Sequence, residues 1–511
     1  MFSESFCAAI QGIDGCIIQV EADVSDGLPC FSLVGYLASE VKEAKERVRI
    51  AIKNSGFKLP PKKITVNLSP ADIRKDGTGY DLAIAVAVLA AFGYIPQSTL
   101  NQCVVLGELS LDGQVKGITG VLPMVYTAME HGVKYCMVPR DNLSEASVVS
   151  GIRLAGITTL QEAVRLLQEG RGWQDQRVDT PDGIARVENI PDFSDIRGQA
   201  VVKRAVEVAV AGRHNLLMIG PPGSGKTMIA KRIPGIMSRL TLEEQMEISK
   251  IYSVAGLLHG KQPYISTRPF RAPHHTISQT ALVGGGRYPR PGECSLGSGG
   301  VLFLDELPEF QRQAIEALRQ PLEDGYVTVS RLEGCYHYPA RCQLVAAANP
   351  CPCGFYPNRR KCTCTPGQRK RYFGKISQAI LDRIDICTET VSLEYRDLGQ
   401  EMPFAEESSE QIRERVMAAQ KIQWERYRQE VFYFNAELTP KEIKTYCVPE
   451  PEAQDYLAEM FRVLDLTARG YHKILKVART IADLAGAERI TRKHMTEAIC
   501  YRMVSGEQMG A

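Results

Sequence analysis

The sequence predicts an α/β fold, and three observations lead to that prediction. In residues 215–230, a short apolar run leads into a glycine-rich loop and then into a helical pattern. Residues 301–304 form a second apolar run that ends in two carboxylates, as buried parallel strands do at the edge of a sheet. In residues 1–168, β-rich segments alternate with helical ones. We therefore expect two successive α/β domains.

The amino-terminal residues carry signals for individual elements. Residues 16–24 and 63–68 alternate apolar and polar side chains, as half-buried strands do. Between them, residues 41–54 place apolar side chains at helical spacing opposite a charged face. Residues 81–91 are apolar nearly all round, which predicts a buried helix.

The pattern changes at two places along the chain. Hydrophobic periodicity is lost over residues 169–189, which predicts a linker. It resumes before the glycine-rich loop and is helical over most of the last hundred residues. We therefore divide the chain into an amino-terminal domain (1–168), the linker, a central domain (190–400) and a helical domain (401–511).

The glycine-rich loop fits the phosphate-binding pattern GxxxxGK[ST] in full. Glycines let backbone N–H groups face a phosphate, and the following helix adds its positive end. In this pattern Lys226 reaches the β- and γ-phosphates, and Thr227 holds Mg²⁺. A glycine-rich turn without a ligand is the alternative, but strand, loop, Lys-Thr pair and helix occur in the required order. We predict a nucleoside triphosphate site built from Gly220, Pro221, Pro222, Gly223, Ser224, Gly225, Lys226 and Thr227.

Two further strand ends predict the rest of this site. Asp305 would complete the Mg²⁺ shell, and Glu306 would polarise the attacking water. A solvated acidic turn is the alternative, and the preceding phosphate loop makes it the weaker one. The apolar run 344–348 ends in Asn349, whose amide could orient the same water, although an asparagine at a strand end is more often a turn former.

Four cysteines follow Asn349 closely: Cys351, Cys353, Cys362 and Cys364. They could close a tetrahedral Zn²⁺ site that orders a polar, glycine-rich loop, although the CxC spacing is tighter than usual. Reduced free thiols and a redox or iron–sulfur role are the open alternatives. Basic and aromatic neighbours could contact a nucleic acid, and a solvated basic loop is the alternative. These neighbours are Tyr356, Arg359, Arg360, Lys361, Arg369, Lys370, Arg371 and Tyr372.

His274 and His275 are adjacent in an extended stretch. We expect their rings to face opposite ways and to position the chain rather than bind a metal.

Overall composition excludes several classes of protein. Lysine and arginine total 61 against 59 aspartate and glutamate, so a nucleic-acid or membrane contact would have to come from a local patch. There is no signal-like amino terminus and no run of about 18 apolar residues, so we expect a cytoplasmic protein without a membrane contact. Fifteen cysteines, an odd number, argue against a disulfide scaffold.

The chain resembles the AAA+ ATPases, and within them the magnesium-chelatase-like branch called the YifB or ComM family. The residues that carry the resemblance span nearly the whole chain. They are NSGFKLPPKKITVNLSPADIRKDGTGYDLAIA (54–85), RPFRAPHHTIS (268–278), ALVGGG (281–286), PRPGECSLG (289–297), GVLFLDELPEF (300–310), LRQPLE (318–323), NPCPCG (349–354), ILDRIDI (380–386) and HKILKVARTIADLAG (472–486).

The resemblance implies roles for particular residues. Residues 195–199 would contact the adenine and ribose, and Asn349 would take the sensor-1 place. Arg383 resembles the arginine finger that reaches the γ-phosphate in a neighbouring subunit, although a salt bridge to Asp382 or Asp385 is the alternative. Arg479 resembles sensor 2 in a helical lid. A hexameric ring with ATP, Mg²⁺ and a pore-lining hairpin at residues 326–340 would follow.

Residues 75–89 resemble the segment of Lon-type proteases that carries the nucleophilic serine. In this chain Gly79 occupies the serine position, and the lysine position falls near Leu122 and Pro123. A Ser–Lys pair is the minimum for that chemistry. We therefore expect a Lon-protease-like fold without peptidase activity.

The family resemblance implies a DNA helicase that promotes branch migration during recombination and uptake of foreign DNA. The alternative is a protein remodeller of the chelatase or MoxR type that does not act on DNA. A third possibility, an ATP-dependent protease, conflicts with Gly79.

Overall fold

A computed structural model of the chain describes residues 1–170, 172–174, 190–258, 263–331, 334–358, 360–391 and 406–509. The chain folds as two compact units. Unit 1 comprises Met1–Ala185, Leu242–Ser266 and Thr328–Tyr338, and unit 2 comprises Arg186–Thr241, Thr267–Val327 and Pro339–Ala511. Within the described ranges, no helix is both long enough and apolar enough to cross a membrane.

The amino-terminal elements confirm the predicted α/β pattern. The strands are β1 (Phe2–Gln11), β2 (Asp14–Ser25), β3 (Cys30–Val34), β4 (Lys63–Ser69), β5 (Cys103–Val105), β6 (Glu108–Leu109), β7 (Val115–Lys116), β8 (Tyr135–Pro139) and β9 (Arg153–Ile157). The helices are α1 (Ser39–Asn54), α2 (Asp81–Ala91), α3 (Gln97–Leu100), α4 (Val121–Glu130), α5 (Leu143–Ala146) and α6 (Leu160–Glu169).

A seven-stranded mixed sheet organises unit 1, in the order β3-β4-β2-β1-β5-β8-β9. The helix α2 is buried on nearly all sides, as its composition predicts. It is tied to β1 because the hydroxyls of Ser3 and Ser5 donate hydrogen bonds to the carbonyls of Ala87 and Ala83.

The elements after residue 190 follow in chain order. The strands are β10 (Leu216–Ile219), β11 (Phe270–Arg271), β12 (Gly284–Gly285), β13 (Arg290–Pro291), β14 (Val301–Leu304), β15 (Tyr326–Arg331), β16 (Gly334–Pro339), β17 (Gln343–Ala348) and β18 (Ile386–Glu389). The helices are α7 (Ala200–Gly212), α8 (Lys226–Ala230), α9 (Ile233–Ile236), α10 (Leu242–Val254), α11 (Gln279–Val283), α12 (Glu293–Leu296), α13 (Arg312–Ala317), α14 (Arg319–Asp324), α15 (Pro366–Phe373), α16 (Gln378–Leu381), α17 (Ser409–Arg426), α18 (Pro440–Tyr446), α19 (Pro451–Val463), α20 (Ala468–Leu484) and α21 (Arg492–Met509).

A five-stranded parallel sheet organises unit 2, in the order β11-β14-β17-β10-β18. Because all strands run the same way, their carboxyl ends share one edge. Gly220, Asp305, Asn349 and Thr390 each directly follow one of these strands and therefore lie along that edge.

The structure groups three segments differently from the predicted domains. The helix α10 belongs to unit 1, where the Lys250 ammonium lies 3.9 Å from the ring centre of Tyr126. The middle of the 326–340 hairpin also belongs to unit 1, and the carboxy-terminal helices share one core with the central sheet in unit 2. Sequence periodicity identifies elements but not the elements against which they pack.

The first described residues of the predicted linker, residues 169–189, contact the amino-terminal sheet. Gln174 exchanges two backbone hydrogen bonds with Leu154, and Trp173 packs its ring 4.9 Å from that of Tyr135. Residues 171 and 175–189 lie outside the described residues, as does the predicted boundary at 400/401.

Candidate functional site

The glycine-rich loop joins β10, which lies between β17 and β18 in the parallel sheet, to α8. Gly223 and Gly225 have φ values of +77° and +88°, a region that favours glycine. Gly220 is required for a different reason: a Cβ there would lie 1.9 Å from Thr390 Oγ1, at the end of the neighbouring strand. Ser224 Oγ also lies 2.6 Å from Thr390 Oγ1, so the loop contacts the residue that follows β18.

Lys226 points into the concave side of this loop. Its ammonium donates hydrogen bonds to the carbonyls of Gly220 (2.7 Å) and Pro221 (2.9 Å) and to Asn349 Oδ1 (3.3 Å). Burial lowers the pKa of Lys226, and the charges of Asp305 and Glu306 partly offset that effect. The structure thus brings together a lysine and an asparagine that are 123 positions apart.

The two predicted carboxylates lie beside Thr227. The Thr227 hydroxyl donates a 2.7 Å hydrogen bond to Asp305 Oδ2. Asp305 Oδ1 accepts from the backbone N–H of Glu306, whose φ of +53° turns the chain sharply after β14. The Thr227 hydroxyl and the Asp305 carboxylate are hard oxygen ligands of the kind that Mg²⁺ prefers, so this pair fits a bound Mg²⁺ ion.

The two histidines differ from the prediction that their rings face opposite ways. The ring centres of His274 and His275 lie 4.1 Å apart, because this stretch turns rather than extends. His275 Nδ1 lies 3.7 Å from Glu306 Oε2, a separation longer than a hydrogen bond. Sequence alone gave no signal for this contact.

The segment before α7 also reaches the loop. Asp195 pairs with Arg232 at 2.7 Å, and Gln199 Nε2 donates hydrogen bonds to the carbonyls of Ser224 (3.3 Å) and Val391 (2.6 Å). Residues 195–199 are thus fixed against the predicted nucleotide site.

Arg383 lies at the opposite edge of the sheet. It precedes β18, and its carbonyl accepts a 2.9 Å hydrogen bond from Asn215 Nδ2, just before β10. Its guanidinium donates to Ala379 O and to the carboxylate of Glu323. Among the described residues the ion-pair partner is thus Glu323, rather than the Asp382 or Asp385 named as alternatives.

The structure shows protein partners for Arg479, for which a nucleotide contact is predicted. Arg479 is 2% exposed, and its guanidinium binds Asp483 and the carbonyls of Ala487 and Glu488. All three guanidinium nitrogens of Arg479 therefore donate hydrogen bonds within unit 2. On the same helix, Arg469 has a 73% exposed side chain and pairs with Asp382 at 3.2 Å, next to Arg383. Arg469 is not among the site residues predicted from the sequence.

The four cysteines come together, as their spacing suggested. Their sulfur atoms all lie within 4.8 Å of one another, a distance compatible with four ligands of one ion. A hydrogen bond from the backbone N–H of Phe355 is the main cause that lowers the pKa of Cys353 to about 6, so this sulfur is mostly thiolate at neutral pH.

The positions equivalent to a Lon dyad carry no acid–base group. Gly79 lies in the turn before α2, where an added Cβ would meet Ile118 at 3.1 Å, and Leu122 and Pro123 are buried in α4.

Comparisons with known proteins agree with this architecture. The family described as magnesium chelatase, subunit ChlI, matches residues 192–398, and related ChlI segments match residues 20–142 and 406–502. Competence protein ComM of Haemophilus influenzae is 42% identical over 501 residues, which are 97% of this chain and 96% of that protein. YifB of Escherichia coli is 42% identical over 496 residues, with the same shares covered.

A shorter part of the chain is similar to Lon protease 2 of Bacillus subtilis. The two are 31% identical over 127 residues, which are 25% of this chain and 22% of that protein. The expected Lon-like relationship is therefore confirmed. On the length and identity of these matches, the chain belongs to the YifB/ComM family of magnesium-chelatase-like proteins and has their α/β AAA+ fold.

Proposed function

We propose that this protein is an ATP-hydrolysing ring motor that acts on DNA, a helicase that promotes branch migration in recombination and DNA uptake. One observation carries the ATPase part: Lys226, Thr227, Asp305, Glu306 and Asn349 converge on one edge of the parallel sheet.

Each of these residues has a task in hydrolysis. Lys226 and the loop hold the β- and γ-phosphates, and Thr227 and Asp305 hold Mg²⁺. Glu306 accepts the proton of the attacking water, while Asn349 positions that water. Bound Mg²⁺ supplies charge neutralisation on the transferred phosphoryl group.

Arg383 supports assembly into a ring, for which we propose a hexamer. Because Arg383 lies at the amino edge of the sheet and the phosphate loop at the carboxyl edge, Arg383 acts on the nucleotide of a neighbouring subunit. Its fixed positive charge suits a γ-phosphate.

Two observations support DNA as the partner. The chain resembles a competence protein over nearly its whole length. In addition, Arg369 in α15 places its guanidinium 3.8 Å from the ring centre of Tyr356. Further basic residues are Lys370 and Arg371 in the same helix and Arg360 and Lys361 before it. Stacked aromatic and basic side chains suit single-stranded nucleic acid. Arg359 lies outside the described residues.

The test is steady-state ATP hydrolysis without DNA and with single-stranded, duplex and four-way-junction DNA at two salt concentrations. We expect DNA to raise the rate, more at low salt. Glu306→Gln should abolish turnover while still binding ATP. Glu309→Gln, a nearby exposed glutamate paired with Lys375, is the matched control and should hydrolyse normally. A strand-displacement assay then tests helicase activity.

A second candidate is an ATP-dependent remodeller of proteins, and the magnesium-chelatase matches favour it. The near-neutral formal net charge of +2 also suits a protein substrate. If DNA does not change the rate of ATP hydrolysis in the same assay, protein remodelling becomes the better-supported function.

We also propose that Cys351, Cys353, Cys362 and Cys364 bind one Zn²⁺ ion. Metal analysis of the purified protein should give one zinc per chain, and Cys351→Ser with Cys353→Ser should remove it. Cys335→Ser, at an exposed cysteine outside the cluster, is the control. Metal-free wild-type protein would contradict the zinc site.

The amino-terminal domain is, in this proposal, a peptidase-inactive module that organises the ring or its substrate. Purified protein should therefore leave casein intact in the presence of ATP. Casein cleavage that requires ATP and survives purification would contradict this assignment.

A further inference from the structure

The four-cysteine segment, residues 351–364, touches the phosphate-binding loop directly. Gly354, next to Cys353, has a φ of +81°, and a Cβ on it would lie 2.7 Å from Pro222 Cδ. The absence of a side chain at position 354 therefore lets the segment lie against the loop. We call residues 351–364 the cysteine clip.

The clip is also continuous with the strand that delivers Asn349. Cys351 is fully buried two positions after Asn349, and its carbonyl accepts a 2.9 Å hydrogen bond from the N–H of Gly354. Asn349 Oδ1 in turn accepts from the Lys226 ammonium. One short segment therefore contacts the phosphate loop at two points, Lys226 and Pro222.

The far end of the clip is anchored as well. Cys364 precedes Thr365, whose hydroxyl accepts from the N–H of Gln368 and caps α15. Tyr372 and Phe373 of that helix are buried in unit 2. Between these anchors the described residues are mostly polar and partly or fully exposed, so they have little apolar surface with which to fix their own conformation.

We propose that Zn²⁺ in the cysteine clip sets the conformation of the phosphate-binding loop, so that zinc and nucleotide bind cooperatively. This inference rests on the proposed nucleotide and zinc sites and adds the coupling between them. Zinc fixes four sulfur positions and hence Gly354 and Asn349, the two groups that touch the loop. Coupling between two binding sites is reciprocal, so bound nucleotide must also raise the affinity for zinc. We expect this gain in affinity to be seen as slower loss of zinc.

The experiment measures zinc release from the full-length protein to a chromophoric zinc chelator, with and without ADP and Mg²⁺. We expect ADP to slow release by about fivefold or more, the lower end of ordinary coupling between sites. Lys226→Ala should keep its zinc and lose the ADP effect. That variant also shows that ADP does not act by binding free zinc.

A second variant tests the contact itself. Gly354→Ala keeps all four thiols but places a methyl group against Pro222, so it should retain zinc while most of the ADP protection disappears. Gly367→Ala is the matched control, because a Cβ there meets nothing within 4 Å. Full ADP protection in Gly354→Ala would overturn the coupling through this contact.

The remaining outcomes separate the coupling from the function on which it rests. Wild-type protein that binds zinc and ADP but releases zinc at one rate under both conditions overturns the coupling and leaves the ATPase proposal standing. Protein that fails to bind ADP overturns the ATPase proposal, and protein without zinc overturns the metal site.

Discussion

The Thr227 hydroxyl donates a 2.7 Å hydrogen bond to Asp305, and this bond joins the start of α8 to the end of β14. The two oxygen atoms belong to separate strand–loop segments, yet they already lie together at the carboxyl edge of the sheet. A metal ligand pair that is positioned by the fold loses little freedom when the ion binds. The pair is therefore the most direct target for a test of Mg²⁺ binding.

Thr227→Val removes the hydroxyl and preserves the shape of the side chain. We expect the Mg²⁺ concentration that gives half-maximal ATP hydrolysis to rise by about tenfold or more, since one interaction with a charged partner contributes about 1.5–3 kcal/mol. A magnesium titration of the initial rate measures the shift. Thr445→Val, at an exposed threonine on α18, should leave the titration unchanged. An unaltered magnesium dependence in Thr227→Val would remove Thr227 from the metal site.

Arg383→Ala should reduce ATP turnover by about a thousandfold, the lower end of the effect of an arginine finger. In the proposed ring, Arg383 of one subunit serves the nucleotide of the next. Mixing Arg383→Ala with Lys226→Ala should therefore restore part of the activity, because some interfaces then combine an intact phosphate loop with an intact arginine. Each variant alone is inactive in the same assay. A mixture that stays inactive, while the two proteins are shown to co-assemble, would contradict action in trans.

Much of the candidate site could be predicted from sequence because its signals are local. A strand followed by GPPGSGKT, and another followed by Asp305 and Glu306, imply a shared edge once the strands are parallel. The contact of Gly354 with Pro222 could not be predicted in this way. It depends on β17 lying directly beside β10, and the residues of a single segment do not determine the order of strands in a sheet.

The protein partners of Arg479 were not predicted, for a different reason. Its position in a motif suggested a phosphate contact, whereas its neighbours on α20 form a buried helix face. Asp483, four positions later, is the expected partner of a buried arginine on a helix, and that signal was present in the sequence. Arg469 lies in the first turn of the same helix, and its exposure depends on packing that the sequence does not specify.

Arg479→Ala should therefore affect stability rather than turnover. It leaves Asp483 buried with one ion-pair partner fewer and removes the donors that satisfy two carbonyl oxygens, so we expect a loss of about 3 kcal/mol or more in the free energy of unfolding. Denaturant unfolding measures the loss, and ATP hydrolysis below the transition should stay close to wild type. Normal stability with abolished hydrolysis would return Arg479 to the nucleotide site.

Asp385 gives the fold a predicted sensitivity to acid. It lies just before β18, with Lys473 Nζ at 3.3 Å and His214 Nδ1 at 3.4 Å, and Lys476 contributes a further positive charge. Burial alone would raise the pKa of Asp385, but these neighbours outweigh burial and hold the pKa well below its usual range.

An aspartate whose pKa is lower in the folded state stabilises the fold above its unfolded pKa, about 3.9, and that contribution is lost as the pH falls toward the folded value. Asp385→Asn should therefore cost about 3 kcal/mol or more at pH 7, and the difference from wild type should shrink below about pH 4. Asp382→Asn, which breaks a pair with the exposed Arg469, should cost less than about 1 kcal/mol at pH 7. The test is the free energy of unfolding of each protein, measured from pH 7 to pH 3. A difference between Asp385→Asn and wild type that stays constant over this range would mean that the pKa of Asp385 does not change on folding.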